Sequence, residues 1–66
     1  MSLRKQISIK LRKARREQDI SQSELAFRVK TGQNHISEIE KGNVGFNIDT
    51  LEKIMKALSI NLKDLI

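Results

Sequence analysis

An all-α fold follows from three features of this sequence. Apolar residues recur at intervals of three and four in every long segment. No stretch alternates Val, Ile, Thr or aromatic residues over a strand's length. Proline is absent, and the three glycines, at 32, 42 and 45, fall between the periodic segments. Sixty-six residues make one domain, 1–66, that buries only roughly 60% of its unfolded surface. With no cysteine, neither disulfides nor cysteine-ligated zinc can reinforce it. A compact helical bundle, or a dimer sharing its core, is the expected remedy.

Helix 1 is expected over 3–18, with Leu3, Ile7, Leu11 and Ala14 on one stripe and Ser2 as the cap. Helix 2, over 22–29, follows Ser21 as N-cap, and Glu24 three positions later completes a capping-box pattern. Helix 3, over 33–41, stops at Gly42, which can take the left-handed conformation. "NVGFNI" is a loop. Helix 4, over 49–58, turns Leu51, Ile54, Met55 and Leu58 inward. A short fifth helix, 61–66, has Asn61 as its cap and Asp64 in the capping-box position. The architecture is therefore a compact five-helix all-α domain.

The net charge of +5 points to a polyanionic partner, and its distribution says more than its size. Seven bases, Arg4, Lys5, Lys10, Arg12, Lys13, Arg15 and Arg16, precede the first acid, Glu17. From Ile20 onward six acids balance six bases. No apolar run approaches the ~18–20 residues that cross a bilayer, and "MSLRKQISIK" lacks the features of a signal peptide. A soluble cytoplasmic protein without membrane association is expected. The basic segment has no aromatic anchor for a membrane surface. His35 is the sole histidine, so no metal site is expected. No serine has a histidine base in a suggestive setting, and no glycine-rich phosphate loop is present, so no catalytic residue and no cofactor are expected.

The informative stretch is "SQSELAFRVKTGQNHISEIEKG". On a helical wheel Ile36 and Ile39 define the buried side of helix 3. Asn34, Ser37, Glu38 and Lys41 then point away from it, with Gln33 and His35 on the flanks. Each carboxamide offers a donor and an acceptor in one plane, which matches an adenine edge in the major groove. A short helix and a glycine-containing turn in front of such a face make a helix-turn-helix arrangement.

These residues resemble the lambda-repressor-like family of helix-turn-helix DNA-binding domains, the Cro or xenobiotic-response-element type. Gln22, Leu25 and Ala26 match its Gln-x-x-Leu-Ala pattern. Ile36, Ser37, Ile39, Glu40 and Gly42 match the end of its third helix, and "DTLEKIMKALSINLKDLI" is similar to its last two helices. The resemblance implies base contacts from Gln33, Asn34, His35, Ser37 and Glu38. It implies backbone contacts from Gln22, Ser23, Lys41 and Asn43, and an Arg15–Glu40 salt bridge tying helix 1 to helix 3. By the wheel, Glu40 lies about 70° and Arg15 about 80° from their buried centres, at the core's margin. A dimer seam is implied at Phe46, Ile60, Leu62 and Ile66, which could equally complete the monomer core. Where the family has a glycine in the turn this chain has Lys30, and Gly32 stands for a capping serine or threonine, so an altered turn is expected. Asp19 replaces a glycine before helix 2, a substitution that tolerates the left-handed conformation.

The partner implied is double-stranded DNA, bound by a homodimer with helix 3 in adjacent major grooves about 34 Å apart. Repression follows where such a pseudo-palindromic operator overlaps a promoter. The rival is an interaction module, such as an antitoxin that holds a toxin and represses its own operon; a restriction–modification controller is a variant within DNA binding. Phe27 and Ile9 point away from the expected core, covered by Arg28 or Arg12, or else exposed as a small protein-binding patch.

Overall fold

Side-chain caps mark the start of three of the four α-helices in the computed structural model, which describes residues 2–66. Helix α1 spans Leu3–Glu17, α2 Gln22–Arg28, α3 Gln33–Lys41 and α4 Ile48–Leu58. The described residues contain no strand. Ser2 Oγ accepts the Lys5 N–H at 3.2 Å, and Ser21 Oγ accepts that of Glu24 at 2.9 Å. Only half of the Ser21 capping box forms, because the Glu24 carboxylate takes the Arg28 guanidinium at 2.9 Å instead. Helix α4 starts at Ile48, ahead of the expected 49, because Asn47 Oδ1 accepts the Thr50 N–H at 2.7 Å.

All four helices end the same way. A residue with positive φ follows the last turn: Asp19 at 57°, Lys30 at 59°, Gly42 at 75° and Ser59 at 55°. Its N–H and the next one donate back to the helix. Asp19 N–H reaches Arg16 O and Ile20 N–H reaches Arg15 O; Lys30 reaches Phe27 O and Thr31 reaches Ala26 O. Gly42 with Asn43, and Ser59 with Ile60, repeat the pair of bonds. This is the Schellman closure, which satisfies carbonyls that a helix end would otherwise leave unpaired. The expected alteration of the α2–α3 turn is therefore absent: Lys30 itself adopts the left-handed conformation, and Gly32 is extended at φ −82°.

Ile7, Leu11, Ile20, Leu25, Ala26, Val29, Ile36, Ile39, Leu51, Ile54, Leu58 and Leu65 form one buried cluster. Helix α3 packs on both α1 and α2, and α4 packs on α2. Gln18 Nε2 donates to Leu58 O at 2.6 Å, joining the end of α1 to the end of α4. Leu3, expected on the buried stripe, is 56% exposed beside Arg4, Gly45 and Phe46, because the first turn of α1 meets the end of α3 and its loop through Arg4 and Lys5 and leaves Leu3 uncovered.

The fifth helix expected over 61–66 is a single 3₁₀ turn, Leu62–Asp64. Six residues cannot nucleate an α-helix of their own, and a 3₁₀ turn suffices to seat Leu65 in the core with no exposed surface. The Asn61 N–H donates to the Asp64 carboxylate at 2.8 Å. Phe46 and Ile60 are half-buried against the core, whereas Leu62 and Ile66 stay exposed.

The backbone and core give three stability tests. Lys30→Gly should raise stability by roughly 0.5–1 kcal/mol, since relief at positive φ exceeds the added freedom of the unfolded chain. Gly42→Ala should lower it by at least about 1 kcal/mol, because its Cβ would lie 3.0 Å from Lys5 Cγ. Urea unfolding midpoints should therefore move in opposite directions. Ser8 Oγ is buried without a hydrogen-bond partner. The same assay should find Ser8→Ala more stable by about 1 kcal/mol; a loss would mean that the hydroxyl is satisfied in solution.

Candidate nucleic-acid interface

The site is built on a buried ionic node. Arg15 Nε donates to Glu40 Oε2 at 2.7 Å and Arg15 Nη2 to Glu40 Oε1 at 3.0 Å, a two-pronged contact of matching planes. Arg15 Nη1 donates to the Ile20 carbonyl at 2.6 Å, and Gln22 Nε2 adds a bond to Glu40 Oε1 at 3.1 Å. Helix α1, the following loop, α2 and α3 thus meet at one ion pair. Both charged residues are buried, with Arg15 at 7% and Glu40 at 6% exposed, deeper than the margin that the wheel suggests. Four charge-assisted bonds offset much of the desolvation that burying the ions requires.

With Glu40, Ile36 and Ile39 held inside, the opposite side of α3 faces outward. Gln33, Asn34 and His35 are exposed at its first turns, and Ser37 and Glu38 are half-buried behind them. Gln33 and Asn34 make no side-chain hydrogen bond among the described residues, so their amide edges are unclaimed. His35 Nδ1 lies 2.9 Å from Thr31 Oγ1, which ties the imidazole to the turn. Glu38 Oε2 accepts the Asn43 amide at 3.2 Å, so an expected base reader and an expected backbone contact hold each other. Ser23 and Lys41 are exposed at the two rims of this face. Gln22 is half-buried, and one N–H of its amide remains free after the bond to Glu40.

Sequence periodicity missed two neighbours of the site. Arg4 and Lys5 belong to α1, yet they lie against the loop that follows α3. A Cβ built on Gly42 would contact Lys5, and one on Gly45 would lie 3.7 Å from Arg4 Nη1. Their basic character was legible in the sequence; their position comes from the packing of α1 on α3.

Phe27 is 81% exposed on the outer face of α2 and Ile9 is 51% exposed on α1. Arg28 does not cover Phe27, since its guanidinium is engaged with Glu24. No group of three or more His, Cys, Asp or Glu side chains that could hold a metal occurs among the described residues. None of the described helices is long and apolar enough to cross a membrane.

Comparisons with known proteins agree with this geometry. The helix-turn-helix family model matches residues 11–65. The control protein C.BamHI of Bacillus amyloliquefaciens is 42% identical over 48 residues, 73% of this chain and 59% of that protein. This chain therefore matches less than two thirds of that relative's length. Among solved structures, the clp gene regulator ClgR from C. glutamicum superposes with a TM-score of 0.93 at 25% identity, over 98% of this chain and 83% of that one. The restriction–modification controller C.Esp1396I, solved as a tetramer on its natural 35 base-pair operator, gives 0.86 at 30% identity, over 96% and 83% of the two chains.

The node generates a direct test. Arg15→Ala should destabilise the fold by roughly 3–5 kcal/mol, because it strands a buried carboxylate. A loss below about 1 kcal/mol in chemical denaturation would show a pair that solvent screens.

Proposed function

This chain belongs to the helix-turn-helix family, and we propose that it is a sequence-specific DNA-binding transcriptional regulator whose residues 1–66 form one DNA-binding domain. Its role is binding rather than catalysis, and it works in the cytoplasm. The observation that carries this reading is the outward face of α3, where the Gln33 and Asn34 amides have no internal partner among the described residues and Ile36 and Ile39 back them in the core. Helix α3 enters the major groove, where Gln33 and Asn34 meet base edges and His35, Ser37 and Glu38 shape the rest of the contact. Gln22, Ser23, Lys41 and Asn43 hold the phosphates on either side. So few base contacts per protomer call for a homodimer on a pseudo-palindromic operator. Leu62 and Ile66 are exposed and Phe46 and Ile60 half-buried, and these four supply the apolar seam in this reading. Repression results where that operator overlaps a promoter.

Within DNA binding, similarity to C.Esp1396I and to the control protein C.BamHI favours a restriction–modification controller over a toxin-neutralising antitoxin. A pull-down separates these roles from a pure interaction module, which would capture its protein partner without retarding any DNA.

Selection of bound sites from random duplexes tests the assignment of readers. Asn34→Ala should relax base preference at one or two positions, at about 1–3 kcal/mol of discrimination. An unchanged motif would remove Asn34 from the readers. Lys41→Ala should weaken all sequences alike, and a selective loss would contradict its place on the backbone.

A further inference from the structure

The first turn of α1 crosses the far end of the recognition helix. A Cβ placed on Gly42 would lie 3.0 Å from Lys5 Cγ, 3.6 Å from Lys5 Cα and 3.7 Å from Lys5 Cε. The lysine stem therefore runs over the left-handed closure of α3. The Arg4 guanidinium stands over the next loop, at Gly45. Arg4, Lys5 and Lys41 are all exposed. Among the described residues the ion pairs are Arg15–Glu40 and Arg28–Glu24, and neither involves these three cations. The acids nearest in α3 are engaged elsewhere: Glu38 with Asn43, and Glu40 with Arg15 and Gln22.

A helix C-terminus carries about half a negative charge, which one cation is enough to balance. Three exposed cations with no ion-pair partner among the described residues leave a local positive excess at this end, open to an anion from outside. We propose that Arg4 and Lys5, together with Lys41, form a phosphate clamp that grips the DNA backbone beyond the C-terminal end of α3. This rests on the DNA-binding reading above and extends its footprint to α1. The clamp adds affinity and fixes how far α3 slides along the groove, but it reads no base. At Gly42 the missing Cβ leaves room for the Lys5 stem to lie across the loop.

The test is the salt dependence of binding to a duplex selected by the wild-type protein, compared with the double variant Arg4→Gln/Lys5→Met. Both substitutions retain a side-chain stem and remove a charge. The slope of log K against log salt should become shallower by about 2 per bound protomer, with the selected motif unchanged. Lys53→Met, a charge removal on α4 away from this end, should leave the slope as it is. An unchanged slope with a lowered thermal midpoint would overturn the clamp, because the two cations would then serve only the carbonyls of α3. An altered motif would overturn it too, since the residues would be reading bases. So would an equal effect of Lys53→Met, which would show diffuse charge rather than contact. If the wild-type protein retains no duplex at all, the DNA-binding reading falls, and the clamp with it.

Discussion

The arrangement of this molecule depends on one buried carboxylate. Glu40 accepts Arg15 from α1 and Gln22 from α2, while Arg15 also holds the Ile20 carbonyl in the connecting loop. A 66-residue chain without cysteine has little core to spare, and hydrophobic contact alone leaves helices free to slide and rotate against one another. The planar two-pronged contact permits far less rotation. It fixes the roll of α3 about its own axis, and that roll decides which side chains meet solvent.

Charge is therefore used in two ways. Inside, Arg15 and Glu40 are spent on each other, and Gln22 completes the set. Outside, among the described residues, most cations of α1 have no ion-pair partner, and the amides at the start of α3 keep their donors and acceptors free. A protein whose surface served only solubility would have no need to hold that amide face away from its own polar groups. The proposed DNA contact rests on that face, in a chain that belongs to the helix-turn-helix family.

The four α-helices are legible in the sequence because their signals are local. Apolar spacing places Ile36 and Ile39 inward, Ser2 and Ser21 cap their own first turns, and Gly42 marks its own stop. The departures occur where tertiary contacts decide. Leu3 lies on the right stripe, but no element reaches far enough to cover it. Lys30 takes a conformation that its residue type disfavours, because the N–H groups of Lys30 and Thr31 close the end of α2. The C-terminal segment has capping signals, yet burying Leu65 requires only three residues of 3₁₀ turn. For the site, residue types and helix face were visible from the wheel. The Glu38–Asn43 and His35–Thr31 bonds, and the approach of Arg4 and Lys5, appear only once the helices are assembled.

The repeated closure has a consequence for how such a chain can diverge. Each helix ends through paired backbone bonds around Asp19, Lys30, Gly42 or Ser59, and at three of these places no glycine is needed. Residue identity at the stops can drift, provided the left-handed geometry survives. Length cannot drift as freely. One residue inserted or deleted within a helix would swing everything beyond it by about 100°, turning Ile36 or Glu40 toward water. Insertions and deletions in descendants of this sequence should therefore gather in the 43–47 loop and at the chain ends, leaving the span from Ser21 to Gly42 constant in length.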